Sequence, residues 1–310
     1  MITGFYGWGN AGDEGILQAI MDELGDNEYV VSTTLPFTML NSYNHRILAE
    51  VRTIDDRRID YDVYLLGGGG LGWGFGWGQA LSAFSSHKRC MNYAVGYGKH
   101  DPKLAGLYKA FLEQFDALTV RDEDSQFVLE ALGVHAPLTM CPAINLKEEK
   151  FECAKNMIAV CPRYEDSDAL GNPGDNTPQI DWIVSWLKDA GLDDEVLLIP
   201  FSARDGEGNL RDLAVCREIT HKLKGATILP VDGYSPRKIK YAISQSKLVI
   251  SGGRYHALVW AAAHKIPYEL SPTTKLPKGQ RFMAMHKKYG DKLKEMEKKN
   301  VEIFKRVAHG

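Results

Sequence analysis

Short apolar runs alternate with amphipathic segments along the whole chain. This alternation is typical of proteins built from βα units with parallel sheets. In the first half it predicts strands at residues 2–6, 28–33, 63–68, 91–97 and 117–120. In the second half it predicts strands at residues 157–162, 195–201, 226–231, 248–253 and 266–270. The pattern therefore predicts an α/β fold made of two doubly wound halves.

The amphipathic segments between these strands predict helices. They are Glu14–Leu24, Leu104–Phe115, Ile180–Ala190, Leu210–Leu223, Pro236–Gln245 and His256–His264. The polar stretch Asn145–Asn156 separates the two series. We therefore expect an N-terminal domain over 1–147, a second domain over 148–280 and a helical tail over 281–310. Ligands of doubly wound sheets bind outside the carboxyl ends of the strands, so we expect the site in a cleft between two facing domains.

Composition narrows the class of protein. Of 310 residues, 44% are apolar and 25% are charged, close to the averages of globular proteins. No apolar run approaches the roughly 18 residues of a membrane span, and the N-terminal segment does not resemble a secretion signal. The net charge of −3 gives no reason to expect nucleic acid as a partner. The five cysteines include no C-x-x-C pair, which predicts reduced thiols in a cytoplasmic protein and no structural metal site.

The C-terminal tail is the one basic region of the chain. The spacing of its larger apolar residues predicts an amphipathic helix, and these are Tyr289, Leu293, Met296 and Phe304. The lysines of this tail have two interpretations. They form either a solvated helix face or a weak contact with a membrane surface.

The loop after the first predicted strand contains Gly7, Gly9 and Gly12 in the spacing of a dinucleotide-binding loop. Two observations count against a dinucleotide. The end of the second strand, "VVSTTL", has no acidic residue for the ribose, and Asp13 and Glu14 occupy the helix N-terminus that a pyrophosphate would need. The carboxylates either cap the helix, with Asp13 as the N-cap, or one of them orients or deprotonates a sugar hydroxyl.

Arginine side chains follow strands in both halves. Arg121 stands between a strand and the acidic start of the next helix, "DEDS", and Arg163 follows a strand of the second half. An Arg–Asp pair is often a structural salt bridge, and a lone arginine is often a surface residue. Their position at strand ends also makes both arginines candidate ligands for an anion.

The segment "LVISGGRYHALVW" places two glycines, an arginine and a histidine at the end of a predicted strand. Gly252 and Gly253 let the backbone approach a ligand, and Arg254 and His256 follow at the start of an apolar helix. Arginine offers a bidentate fork for phosphate or carboxylate, and histidine can give or take a proton near neutral pH. A histidine beside an apolar run can also be an ordinary core residue. Lys275, after the next strand, adds a cation that could reach the same anion.

The run "GGGGLGWGFGWG" has the composition of a flexible linker, but it follows the buried-strand pattern "YDVYLL". Gly69 and Gly70 are therefore expected at the carboxyl end of a strand, where the backbone can approach a ligand. Trp73 and Trp77, with Phe75 between them, either stack on a sugar ring as an acceptor platform or pack under the loop as a local core.

Four segments in order give the chain a resemblance to the polysaccharide pyruvyl transferase family. They are "GNAGDE", the strand that ends in Gly67–Gly70, "LTVRDEDS", and "ISGGRYHAL" with the following "AAAHKIPYEL" and Lys275. The resemblance implies two facing Rossmann-like domains of the glycosyltransferase type-B kind with a C-terminal helix. It also implies transfer of the enolpyruvyl unit of phosphoenolpyruvate to sugar hydroxyls, with formation of a ketal and release of phosphate.

The resemblance also implies roles for single residues. Arg254 and His256 become the R-x-H pair, with His256 as the general acid and Asp13 as a further catalytic residue. The donor-binding residues are Arg121, Arg254, Lys275, Gly252 and Gly253. The acceptor-binding residues, placed on the N-terminal domain, are Asn10, Asp13, Glu14, Gly69, Gly70, Trp73 and Trp77.

The partners expected from these roles are phosphoenolpyruvate as co-substrate and a saccharide or lipid-linked saccharide as acceptor. No cofactor and no metal are expected, and a homo-oligomer is left open. The chain departs from the family pattern at Tyr255, where the family has leucine, at Cys141, where it often has aspartate, and in the "SPTTK" segment. Two alternatives stay open: a nucleotide-sugar-dependent glycosyltransferase and a non-catalytic glycan-binding relative.

Overall fold

The computed structural model describes residues 1–32, 47–51, 60–71, 77–165, 174–202, 211–231, 235–274 and 277–309. The chain forms two compact units. The first contains Met1–Gly7, Gly15–Leu146 and Met285–Gly310. The second contains Trp8–Glu14 and Lys147–Ala284, so the loop after the first strand belongs to the same unit as the second half of the chain.

The first unit contains, within its described part, a parallel sheet of six strands in the order β3-β2-β1-β4-β5-β6. Doubly wound sheets commonly have this strand order. The strands are β1 (Ile2–Thr3), β2 (Tyr29–Ser32), β3 (Ile47–Val51), β4 (Val63–Gly69), β5 (Arg89–Val95) and β6 (Ala117–Val120). The helices between them are α1 (Ala11–Leu24), α2 (Trp77–Ser85), α3 (Ala105–Leu112) and α4 (Glu123–Ala131).

The second unit repeats this arrangement. Its described part contains a parallel sheet of five strands in the order β11-β10-β7-β8-β9, again with the first strand of the unit in the middle. The strands are β7 (Ile158–Cys161), β8 (Val196–Leu198), β9 (Thr227–Ile228), β10 (Leu248–Ser251) and β11 (Tyr268–Leu270). The helices are α5 (Thr177–Asp189), α6 (Asp212–Lys222), α7 (Pro236–Ser244) and α8 (Tyr255–Ala263). Helix α9 (Lys278–Tyr289) begins in the second unit, and its residues from Met285 onwards belong to the first.

The predicted fold class is confirmed, and all ten predicted strands are present. Seven are shorter than predicted, β6 has its predicted bounds, β4 extends one residue further, and β5 begins and ends two residues earlier. Two elements were not predicted, β3 and α2. The start of α1 was also wrong, because the helix begins at Ala11 and not at Glu14. Asn10 makes this earlier start possible: its Oδ1 accepts a hydrogen bond from the Gly12 N–H at 3.2 Å.

Asp13 is therefore not the N-cap residue of α1. It lies inside the first turn, and its Oδ2 accepts a hydrogen bond from Asn10 Nδ2 at 2.7 Å. Glu14 is buried, and its Oε1 accepts a hydrogen bond from the Gly9 N–H at 3.2 Å. Both carboxylates thus stabilise the helix N-terminus and the loop before it, as acidic groups at that end of a helix do.

The C-terminal tail is helical, as predicted, and α10 (Leu293–His309) packs within the first unit through buried residues. Its buried residues are Leu293, Met296, Glu297 and Asn300. Asn300 Oδ1 accepts a hydrogen bond from Thr119 Oγ1 at 2.7 Å, and Asn300 Nδ2 donates to the Met140 carbonyl at 3.1 Å. No helix in the described ranges has the length and apolar character needed to cross a membrane.

Glu297, on the same buried face of α10, should make folding stability fall with rising pH. Burial raises its pKa to about 8, and the Glu23 carboxylate adds to the rise. The folded protein keeps this proton at pH 7, whereas the unfolded chain releases it above about pH 4.3. The free energy of unfolding should therefore decrease between about pH 4 and pH 8, by on the order of 4 kcal/mol.

Glu297→Gln should abolish this loss of stability at high pH, because an amide does not titrate. The amide oxygen can still accept the 2.7 Å hydrogen bond from Asn145 Nδ2. Chemical denaturation at pH 5 and pH 8.5 measures the effect, and the variant should gain much more stability over wild type at pH 8.5 than at pH 5. Glu113→Gln, at an exposed carboxylate on the surface of the first unit, serves as the control. Parallel pH profiles of wild type and Glu297→Gln would show that Glu297 carries no such proton.

Candidate active site

The loop after β10 is packed so closely that it requires glycine. Gly253 has a φ of +108°, and a Cβ atom there would lie 2.6 Å from Thr274 Oγ1. A Cβ atom on Gly252 would lie 2.3 Å from Gln179 Oε1. Side chains at these positions would push the loop away from its neighbours, so the glycines fix where Arg254 begins.

Gln179 connects this loop to the loop after β7. Its side chain is buried, its Oε1 accepts a hydrogen bond from the Arg163 N–H at 2.9 Å, and its Nε2 donates to the Gly252 carbonyl at 3.0 Å. Arg163 Cδ would lie 3.6 Å from a Cβ atom on Gly253. Gln179 could not be predicted from the sequence, because its partners follow two strands that are far from each other along the chain.

Arg254 forms an ion pair with Asp212, at the start of α6. Asp212 is fully buried, and the Arg254 side chain is only 12% exposed. Arg254 Nε has no hydrogen-bond partner among the residues that the structure describes. The guanidinium is therefore held in place on one side and keeps donor capacity for a ligand.

His256 lies against the backbone of the first turn of α1. A Cβ atom on Gly12 would lie 1.9 Å from His256 Nδ1, so only glycine leaves room for the imidazole. His256 is 8% exposed, and its ring contacts Trp260 with centroids 6.3 Å apart. The predicted "GNAGDE" and "GGRYH" segments thus meet inside the second unit.

The position of the loop before α1 is fixed by the segment after β8. The Ala11 N–H donates a hydrogen bond to the Phe201 carbonyl at 2.8 Å, and Asn10 forms an isolated bridge with Ser202. The Phe201 ring stacks on Trp260, one helical turn after His256, with centroids 5.3 Å apart. Of the predicted acceptor-binding residues, Asn10, Asp13 and Glu14 therefore lie in the same unit as His256.

In the first unit, Arg121 likewise lies close to glycine backbone and beside a buried aspartate. A Cβ atom on Gly96 would lie 2.5 Å from Arg121 Nε, and one on Gly70 would lie 3.1 Å from Nη2. The guanidinium thus lies on the backbone at the ends of β4 and β5. Arg121 Nε also contacts Asp122 Oδ2 at 3.3 Å, with side chains only 7% and 4% exposed, so the predicted Arg–Asp pair is buried.

The aromatic side chains near the glycine run are only partly described. Trp77 stacks on Phe111 of α3 with centroids 4.1 Å apart and meets Tyr108 edge-on, which is the packing expected of a local core. Trp73, Phe75 and Lys275 lie outside the described residues, so their predicted roles stay predictions.

Tyr255, the departure from the family pattern beside His256, is 2% exposed. Its ring meets Phe282 edge-on at 5.6 Å and His256 edge-on at 5.1 Å. The tyrosine side chain is therefore accommodated in the packing between α8 and α9.

A model of the polysaccharide pyruvyl transferase family matches residues 10–267. The chain belongs to this family. The match begins at Asn10, directly before α1, and extends beyond α8, so it includes both segments that meet at His256. The resemblance inferred from the sequence is confirmed, and this pyruvyl transferase carries its R-x-H pair at the end of β10.

Solved structures of other proteins share the fold of this pyruvyl transferase. The UDP-GlcNAc 2-epimerase from Neisseria meningitidis bound to UDP-GlcNAc has a TM-score of 0.58 at 12% identity, covering 98% of this chain and 99% of that chain. The S. aureus MnaA–UDP structure has a TM-score of 0.57 at 11% identity, covering 97% and 90%. The UDP-GlcNAc 2-epimerase from Methanocaldococcus jannaschii has a TM-score of 0.56 at 12% identity, covering 97% of this chain and 90% of that chain. These likenesses show the fold alone, which is glycosyltransferase type-B-like; no curated protein matches in sequence.

Proposed function

We propose that this pyruvyl transferase moves the enolpyruvyl unit of phosphoenolpyruvate onto two hydroxyls of a saccharide and releases phosphate. The observation that carries the proposal is the juxtaposition at the end of β10: the Arg254 guanidinium held by Asp212, and the His256 imidazole against Gly12. A cation and a proton donor, placed two residues apart, are what an anionic enol donor requires.

The proposed chemistry begins with a proton. Phosphoenolpyruvate carries a carboxylate and a phosphate, so fixed cations are needed to bind it. His256 transfers a proton to the methylene carbon, which leaves positive charge at the neighbouring carbon. A sugar hydroxyl attacks that carbon, the bond to the phosphate oxygen breaks, and a second hydroxyl closes the ketal. Asp13 is the proposed group that orients or deprotonates the acceptor hydroxyl.

The proposed donor ligands are Arg254, with the loop of Gly252 and Gly253, together with Arg121 and Lys275. The acceptor is proposed to be a glycan or lipid-linked glycan precursor, contacted by Asn10, Asp13 and Glu14 and by the Gly69, Gly70, Trp73 and Trp77 region. We propose no cofactor. We also propose that the protein is located in the cytoplasm.

Ligand-dependent thermal stability tests the donor. Phosphoenolpyruvate at about 100 times its dissociation constant should stabilise the folded protein by about 2.7 kcal/mol. Arg254→Ala should lose most of this stabilisation, because it removes the cation from the site. UDP is the competing ligand, since two solved structures of similar fold contain UDP or UDP-GlcNAc. A shift with UDP and none with phosphoenolpyruvate would overturn the proposal in favour of a nucleotide-sugar enzyme.

A further inference from the structure

Asp212 is a buried carboxylate that none of the sequence motifs includes. Its Oδ1 accepts a hydrogen bond from the Tyr164 N–H, after β7, and its Oδ2 accepts one from the Ser202 N–H, after β8, both at 2.9 Å. Its Oδ1 also accepts a hydrogen bond from Arg254 Nη2, after β10. One carboxylate therefore joins the ends of three strands of the second sheet.

A fully buried carboxylate is costly unless its oxygens are paired. Two backbone N–H groups donate one hydrogen bond to each oxygen but carry no charge, so Arg254 also supplies the opposite charge that the buried carboxylate needs. The arginine in turn depends on the carboxylate, because its side chain is nearly buried and its Nε has no partner among the described residues. Without Asp212 the guanidinium would lose its charged partner and its fixed direction.

We propose that Asp212 is a positioning residue that orients Arg254 for the anionic donor. The inference rests on the proposed function, because it assigns a purpose to the Asp212–Arg254 pair within that site. A long arginine side chain that is already fixed does not have to be ordered when the donor binds, which improves donor affinity. Asp212 acts only through Arg254 and touches no reacting atom.

A double-mutant cycle separates this role from a structural one. We compare wild type, Asp212→Asn, Arg254→Ala and the double variant, and measure the dissociation constant for phosphoenolpyruvate by calorimetry. Asp212→Asn should weaken binding about tenfold in wild type, a coupling typical of contacting residues, and have no further effect in Arg254→Ala. In steady state the KM for phosphoenolpyruvate should rise while kcat at saturation stays within about twofold, which a general loss of structure would not give.

Asp181→Asn is the matched control, because it removes an exposed carboxylate of the same unit that pairs with Lys222. It should leave the dissociation constant unchanged. If Asp212→Asn fails to fold, Asp212→Glu replaces it in the cycle, since it keeps the charge but displaces Arg254. Equal weakening by the Asp212 variant in both backgrounds would overturn the inference and leave the proposed function standing. No effect of Arg254→Ala on phosphoenolpyruvate binding would overturn both.

Discussion

Replacing His256 with alanine should lower phosphate release from phosphoenolpyruvate by about 10²- to 10⁴-fold in the presence of acceptor, while donor binding largely survives. This is the usual effect of losing a general acid. Donor binding should survive because the proposed anion ligands lie on Arg254 and on other residues, and Asp212 still holds that arginine. Turnover is followed with labelled phosphoenolpyruvate and a panel of free and lipid-linked glycans, and binding by the ligand-dependent thermal shift.

His264 provides the control for this substitution, because it lies at the other end of the same helix, with its Nε2 2.6 Å from Glu148 Oε1. His264→Ala should retain turnover within about twofold. Since His256 is buried, His256→Asn is tested alongside to keep a polar side chain in the space. Turnover near the wild-type level in both His256 variants would show that another group supplies the proton.

The fold could be predicted from the sequence because apolar runs and amphipathic helices are local signals. Strands β7 and β10 were recognisable as short apolar runs, and both lie inside the predicted ranges. Strand β3, "ILAEV", was missed because leucine, alanine and glutamate favour helices as intrinsic propensities. Only its pairing with β2 decides its conformation, and that contact cannot be seen in the sequence.

Helix α2 was missed for a related reason. It begins at Trp77, inside a glycine-rich run whose composition predicts a loop. Trp77 stacks on Phe111, a residue of another helix, and this tertiary contact outweighs the local signal. The same contact supports the local-core alternative that the sequence left open for Trp77.

The residues that hold the candidate site in place were the hardest to predict. Arg254 and His256 were recognisable, because they follow glycines at a strand end and lie two positions apart. Asp212 is 42 residues from Arg254 and 48 from Tyr164, and it belongs to no motif. Parallel strands bring their carboxyl ends to one edge of a sheet, so the partners at that edge come from separate parts of the chain.

Gly12→Ala should lower turnover by about 100-fold, although alanine is the better helix former. Gly12 lies in the first turn of α1, where alanine would by propensity alone stabilise the helix, by up to about 1 kcal/mol. Its Cβ atom would, however, lie 1.9 Å from His256 Nδ1 and 2.7 Å from Cε1, so the imidazole or the loop must move. A displacement of about 1 Å at a reacting group is enough for a loss of this size.

The same clash makes the effect on stability depend on His256. Gly12→Ala should destabilise wild type, but it should be neutral or stabilising in the His256→Ala background, where the space beside the loop is vacant. Gly106→Ala is the control: this glycine lies in α3, and its Cβ atom would meet nothing within 4 Å, so the substitution should stabilise in both backgrounds. Thermal denaturation of each glycine variant in the wild-type and the His256→Ala background shows whether the substitution raises or lowers the stability of that background. If Gly12→Ala costs the same stability with and without His256, the imidazole is not what requires glycine at this position, and the fall in turnover must come from the loop itself.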